Sequence, residues 1–285
     1  TVKDVLTGTV ETSNQSHPAD YIKKLMAGYS SPALEGFPSF TGGLVGYFSY
    51  DYIKYSEPTL NLDAKDEEHF KDVDLMLFDK VIAFDNIHQK IMLITNISSE
   101  NIDSEYAKAE KELAEMEQLI RFGKPADIPH GKLTSEFRKL FDKEHYCEMV
   151  EKAKHYIYEG DIFQVVLSNR LDADFEGSLF DAYRVLRATN PSPYMFFFSS
   201  DDMEIAGASP ETLVKLENGE LHTFPLAGTR PRGATDEEDK ALETELLHDE
   251  KELSEHNMLV DLGRNDIGKV SKFGTVEVEK YMCIE

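Results

Sequence analysis

The chain has 285 residues, 41% hydrophobic and 29% charged, enough apolar material for one large domain or two modest ones. Its 54 Asp and Glu outnumber 30 Lys and Arg, and the net charge of −24 repels phosphate backbones and argues against a nucleic-acid partner. Thirteen Tyr and 17 Phe exclude a disordered tail, and the longest apolar cluster, Tyr194 to Phe198, is far too short to cross a bilayer, so no membrane role is expected.

In chain order, a short helix is expected over Asp20 to Met26, then a loop from Gly28 to Pro38. Leu44 to Tyr50 reads as a strand between Gly42-Gly43 and the turn-rich Ser56-Glu57-Pro58. Asp74 to Phe78, Lys80 to Phe84 and Lys90 to Thr95 read as successive strands, the last two joined through Asp85-Asn86 as an antiparallel hairpin. Ser104 to Ile120 is a strong helix, with Ala109, Leu113, Met116 and Ile120 on one face. Gly123, Pro125, Pro129 and Gly131 break the pattern, so the chain divides into a lobe over 1–120, a linker over 121–133 and a second region over 134–285.

Ser135 to Glu159 is helical in pattern and stops at Gly160, followed by a strand over Ile162 to Arg170 and a helix over Leu179 to Thr189. Strands are expected over Tyr194 to Ser199, Met203 to Ala208, Thr212 to Glu217 and Glu220 to Pro225, with Asn218-Gly219 a strong hairpin signal. One long acidic helix follows, about 236–261. Hairpins with helices grouped between them argue an α+β fold with mainly antiparallel sheets and packed helices, not a doubly wound parallel sheet.

Cys147 and Cys283 sit among apolar or aromatic neighbours and read as small core residues in a reducing, cytoplasmic setting. The sequons at Asn14 and Asn96 read as chance matches, because no signal peptide precedes them. The start at Thr1 and the stop at Glu285 after an alternating run suggest a piece of a longer protein.

Three segments could carry chemistry. Ala208-Ser209-Pro210-Glu211 follows a strand, and Pro210 stiffens the backbone before a carboxylate, as a general acid requires; the same residues also make an ordinary turn with a solvated Glu. Pro225 to Gly233 is a loop with two Gly, two Arg, one Thr and no acid, suited to an anion; it also fits a plain loop with exposed arginines. In the acidic helix, Asp236 to Asp239 read as solvated acids at a helix N-terminus. Glu252 and Glu255 are three apart, about 60° around the axis beside the apolar stripe, where they could hold a hard cation or simply face solvent. Gly42 to Gly46 lacks the strand, loop and helix order of a dinucleotide site. His145, His155, His248 and His256 read as surface or packing residues. The residues alone stop at an acidic α+β enzyme or binding protein.

Ordered blocks at 160–168, 190–195, 208–211, 225–233 and 249–266, with GGLVGYFSYDYIKYSEP at 42–58, resemble one family, the chorismate-utilising enzymes of the anthranilate synthase component I type. The resemblance implies that family's fold, here incomplete, and an Mg2+-dependent conversion of chorismate and ammonia to anthranilate and pyruvate in tryptophan biosynthesis. Ammonia comes from glutamine through a partner glutaminase subunit. By the same resemblance Glu255 is a metal ligand and Glu252 a catalytic acidic neighbour. Glu211 assists departure of the ring hydroxyl, and its pKa would be raised by burial among other carboxylates. Gly228 and Thr229 contact chorismate, Thr229 also counting among the catalytic residues. Pro193, Tyr194 and Met195 belong to a site where L-tryptophan inhibits. Isochorismate-forming relatives carry a Lys where this chain has Gln164, and aminodeoxychorismate synthases typically carry a Lys where it has Ala227, so both positions favour anthranilate formation. Family blocks beyond Glu285 hold further catalytic and metal-binding residues, so this stretch alone is expected to be inactive and to self-associate through uncovered edges. The alternatives are aminodeoxychorismate synthase component I and a non-catalytic tryptophan-binding or docking module.

Overall fold

The computed structural model describes residues 1–62 and 65–284 and divides the chain into two units, Thr1–Ala126 and Asp127–Glu285.

The first unit opens with β1 (Val2–Lys3) and β2 (Val10–Glu11), an antiparallel pair, and α1 (Pro18–Met26). Next, β3 (Gly43–Phe48) leads through a 3-10 turn, Tyr50–Tyr55, to β4 (Val73–Phe78). β3 and β4 pair antiparallel from Gly43 against Phe78 to Phe48 against Val73. The 3-10 turn is fastened to the start of β4 by Asp72, which takes the Lys54 ammonium at 2.8 Å and the Tyr55 hydroxyl at 2.8 Å. Those bonds, Lys54 first, hold the Asp72 carboxyl below its usual range.

The expected hairpin is present as β5 (Lys80–Asp85) and β6 (Lys90–Thr95), in register from Lys80 against Thr95 to Asp85 against Lys90. α2 (Ile102–Phe122) lies on β6, and the two elements of this contact carry the two apolar residues buried deepest, Ala109 and Ile94. Glu112 reinforces it through the Lys80 ammonium at 3.0 Å and the Thr95 hydroxyl at 3.3 Å. Leu113 and Met116 continue the anticipated face, but Ile120 is 40% exposed. Asn96 closes the joint: its amide nitrogen donates to the carbonyls of Thr41 at 2.7 Å and Asp79 at 3.0 Å, and its side-chain oxygen accepts from Ser31 at 2.9 Å.

The second unit departs from expectation first at its front. β7 (Lys132–Leu133) lies at the end of the stretch read as linker, β8 (Arg138–Lys139) occupies the stretch read as the beginning of a helix, and α3 (Lys143–Glu159) starts only after Asp142, whose carboxylate accepts from the His145 amide. The helical period of 135–142 loses to ladder bonds, because β8 pairs with β9 (Leu171–Asp172) and β7 with β10 (Phe175–Glu176). The C-terminal stop at Gly160 is as expected, with a φ of 82°.

The strand anticipated over 162–170 is not formed. The run is irregular, with Phe163 and Val166 each 86% exposed, and it is tied down by the Tyr146 hydroxyl on the Leu167 carbonyl at 2.9 Å and by Asn169 on the Phe141 backbone. A strand needs a ladder neighbour, and among the described residues this run joins no ladder, the Leu140 amide on the Arg170 carbonyl at 2.9 Å only leading into the β8–β9 pairing.

α4 (Phe180–Thr189) packs on the hairpin of β11 (Tyr194–Ser199) and β12 (Glu204–Ser209), with Phe180 and Tyr183 against Phe197 at ring distances of 5.4 and 5.7 Å. β13 (Lys215–Glu217) and β14 (Glu220–His222) form the hairpin signalled by Asn218-Gly219, whose φ values of 52° and 85° suit a type I′ turn. The acidic helix is two helices, α5 (Asp236–Leu246) and α6 (Glu250–Gly268). Asp249 makes the break, since its carboxylate takes the amides of Lys251 and Glu252 and so caps a new helix.

The α+β class with antiparallel pairing and packed helices therefore holds, and every sheet among the described residues is a two-stranded antiparallel pair. Cys147 and Cys283 are both exposed, contrary to the core reading: few side chains among the described residues are buried at all. No helix among the described residues is long and apolar enough to cross a membrane.

Candidate active site

The bend over 225–233 meets the α5–α6 break at Gly228. With φ at +76°, Gly228 lies so close to the helices that a Cβ there would stand 2.9 Å from Leu246 Cδ1 and 3.3 Å from both Cβ and Oε2 of Glu252. Leu226 to Arg232, the facing residues of α5 and α6, and Met282 to Ile284 enclose an open cavity of about 340 Å3. Thr229, Glu252 and His256 are on its wall.

Arg230 sets the spacing between bend and helices. Its guanidinium reaches Glu245 at 3.0 Å and Asp249 at 2.8 Å, and a third nitrogen donates to the Thr229 carbonyl at 3.1 Å. Both acids, Glu245 first, hold Arg230 above its ordinary pKa. Asp249 is held below the usual carboxylate range, first by the Glu252 amide and then by Arg230. One carboxylate thus caps the helix that carries Glu252 and clamps the bend beside it. Arg232 is likewise spent on Asp239 at 2.7 Å. The idea that these arginines raise the potential for an anion is therefore corrected: acids distant in sequence neutralise them. The helix front is not simply solvated either, since Asp239 accepts from the Gly233 amide at 2.8 Å and Glu238 from the Ala234 amide at 2.9 Å.

Glu252 is 18% exposed and Glu255 33%. The Lys251 ammonium stands between them, 3.1 Å from Glu252 Oε1 and 3.7 Å from Glu255 Oε2. The carboxylates, Glu252 first, hold Lys251 above its ordinary pKa. The other Glu255 oxygen is 3.4 Å from the Gln164 amide nitrogen. No group of three or more His, Cys, Asp or Glu among the described residues is arranged to hold a metal. Two half-covered carboxylates sharing one cation nevertheless fit a hard divalent ion, which commonly takes one or two protein carboxylates and fills its shell with water and substrate.

Glu211 arrives from the turn after β12. Its carboxylate is 3.4 Å from the Leu226 amide, two residues before Gly228, and the Ser209 hydroxyl donates to its carbonyl at 3.2 Å. It is exposed, so the burial expected for an acid with a raised pKa is absent here. Pro193, Tyr194 and Met195 lie at the start of β11. Tyr194 pairs with Ser209 across the ladder, and its hydroxyl meets that of Thr212 at 2.6 Å, so this triplet brackets the Glu211 turn.

Sequence reasoning missed Lys251 and Asp249 as parts of the site, gave Arg230 a different role, and passed over His256 as a packing residue. His256 lies one helical turn after Glu252, and its buried Nε2 has no hydrogen-bond partner among the described residues. The signal available was position: each of the four directly adjoins a residue already singled out or caps its helix. A second, shallow hollow of about 420 Å3 beside Ser199–Glu204 holds none of the predicted residues.

A family profile described as chorismate binding enzyme matches residues 3–285. This chain belongs to that family. Within the chorismate-binding enzymes it is 45% identical over 279 residues to anthranilate synthase component 1 of Acetivibrio thermocellus, covering 95% of this chain and 56% of that protein. It is 43% identical over 282 residues to the Aquifex aeolicus protein of the same name, covering 98% and 57%. Aminodeoxychorismate synthase component 1 of Bacillus subtilis is 40% identical over 252 residues, covering 87% and 53%. The crystal structure of anthranilate synthase component I from Streptococcus pneumoniae superposes with a TM-score of 0.80 at 37% identity, over 98% of this chain and 60% of that one. This family member therefore spans little more than half the length of the curated relatives it matches.

Proposed function

We propose that these residues form the first part of the catalytic site of an anthranilate synthase component I, which converts chorismate and ammonia to anthranilate, pyruvate and water. The contact of Glu252 with the Gly228-Thr229 bend carries this reading, because it brings a carboxylate for a cation and backbone donors for an anion to one cavity. Mg2+, held by Glu255 with Glu252 beside it, would supply the divalent charge that lets a dicarboxylate ring settle in a chain of net charge −24. The Gly228 amide and Thr229 hydroxyl orient the substrate, the missing Cβ at Gly228 allowing close approach. Glu211 delivers a proton to the departing ring hydroxyl, which is a poor leaving group unless protonated. Ala227 offers no nucleophile and Gln164 no base, so ammonia rather than a side chain or activated water adds to the ring.

Ammonia is supplied by a glutaminase partner, and tryptophan inhibits through Pro193, Tyr194 and Met195. The 285 residues by themselves are inactive, since among the described residues only Glu252 and Glu255 are offered to the cation. The test is calorimetric titration of chorismate with and without Mg2+. Mg2+-dependent binding, lost in Glu252→Gln/Glu255→Gln, is expected, with no anthranilate formed from ammonia. Binding that ignores Mg2+, or turnover by this chain alone, refutes the reading.

The 40% identity to an aminodeoxychorismate synthase supports a second reading for the same cavity. Assembled into a whole enzyme with its partner, the chain would then release 4-amino-4-deoxychorismate instead of anthranilate. Ala227 weighs against it.

A further inference from the structure

Lys251 adjoins Glu252 in the sequence, and neighbours one apart on a helix do not face each other. Its side chain nonetheless turns back so that Nζ lies 3.1 Å from Glu252 Oε1 and 3.7 Å from Glu255 Oε2. It collects one oxygen from each acid. The remaining oxygens point elsewhere, Glu252 Oε2 toward Gly228 and Glu255 Oε1 toward Gln164. The ammonium therefore takes the pair of oxygens that a shared cation would take. Both carboxylates are half-covered and Asp249 lies in the same turn, so an uncompensated pair here would be costly. Lys251 itself is 76% exposed, so little holds it in place apart from these charges.

We infer that the Lys251 ammonium is the resident counter-ion of the Glu252–Glu255 pair and that a divalent cation enters by displacing it. This rests on the reading of Glu252 and Glu255 as the cation site. Lys251 then sets the cation threshold of the site: it keeps the pair neutralised until the cation arrives, and its departure opens the oxygens. Because the displaced ammonium swings into solvent, removing its charge strengthens divalent binding without disturbing the helix.

The experiment titrates the 285-residue chain with MgCl2 by calorimetry and with MnCl2 by electron paramagnetic resonance, in 0.1 M salt, for wild type, Lys251→Met, Lys251→Arg and Glu252→Gln/Glu255→Gln. Lys154→Met, which removes an ammonium paired with Glu151 on α3, is the control. Lys251→Met is expected to lower the dissociation constant by about five- to tenfold, the size of one nearby unit charge acting on a divalent ion at a screened surface. Lys251→Arg keeps the charge and binds no tighter than wild type, and Lys154→Met stays within about twofold. In the wild type, the Lys251 Cε resonance moves toward that of free lysine as Mg2+ saturates. If wild type binds and the double Gln variant does not, but Lys251→Met leaves affinity unchanged or weaker, the inference fails and the site reading stands. If the double Gln variant binds like wild type, or wild type binds no divalent ion, both fall.

Discussion

The described residues expose 23445 Å2 of surface, and the only apolar residues among them that are buried are Ile94 and Ala109, at 8% and 7% exposure. A folded monomer of 32.4 kDa typically exposes about 12,000 Å2, and its unfolded chain about 47,000 Å2. This chain thus buries about half of its unfolded surface where an ordinary protein of its size buries about three quarters. Since the dependence of unfolding free energy on urea scales with the area exposed, the m-value of the isolated chain should be about two thirds of that of an ordinary domain of its length, with the heat-capacity change reduced similarly. The open apolar surface should also bind a hydrophobic dye. At low salt the −24 charge keeps chains apart, while at about 0.5 M salt the screening length falls to a few ångströms and association should appear by sedimentation. Urea melts followed by tryptophan-free probes, namely tyrosine fluorescence and circular dichroism, give the m-value directly. A full-sized m-value, no dye binding and a monodisperse monomer at high salt would together refute the reasoning.

Other outcomes follow from the site. Gly228→Ala places a side chain at φ +76° against Leu246 and should cost about 1–2 kcal/mol in a urea melt, with weaker cation and chorismate binding. Glu211→Gln in the whole enzyme should lower kcat by about 10²–10⁴-fold with little change in KM; a raised KM with kcat unchanged would assign it to binding instead. Tyr194→Phe removes the bond to Thr212 and should weaken tryptophan inhibition while leaving uninhibited kcat within about threefold, measured as a shift in the inhibition curve. For Asp249, whose folded pKa is depressed, the stabilisation is present above the ordinary carboxylate range near 4 and is lost as pH falls through the lower folded value. Helical circular dichroism from α6 should therefore fade on acidification in wild type and respond less to pH in Asp249→Asn.

What the sequence made legible was local. The β5–β6 hairpin and the Asn218-Gly219 turn depend on residues a few positions apart, and both formed where expected. The Gly160 stop needed only one residue with a positive φ. What escaped notice depends on partners distant in sequence. Asp249 looked like one more acid in a charged run, and only its bonds to Arg230 and two amides make it the point where one helix ends and another starts. The arginines at 230 and 232 looked free because their acids lie seven to nineteen residues on. The run 162–170 has strand composition, but a ladder needs a neighbour that composition cannot provide. The closeness of Gly228 to Glu252 was readable only through resemblance, since no spacing rule joins residues 24 apart.

The joint at Asn96 bears on how this polypeptide is produced. Its amide nitrogen has two protons, and both are committed to the carbonyls of Thr41 and Asp79. A sugar attached to that nitrogen would consume one of them and place a bulky group where β4, β5 and the preceding loop converge. Yeast or mammalian secretion would recognise Asn96-Ile97-Ser98 as an acceptor and so release a first unit locked out of its native closure, whereas the exposed Asn14 could carry a glycan without harm. Replacing Ser98 with Ala removes the acceptor while keeping the asparagine that the joint requires.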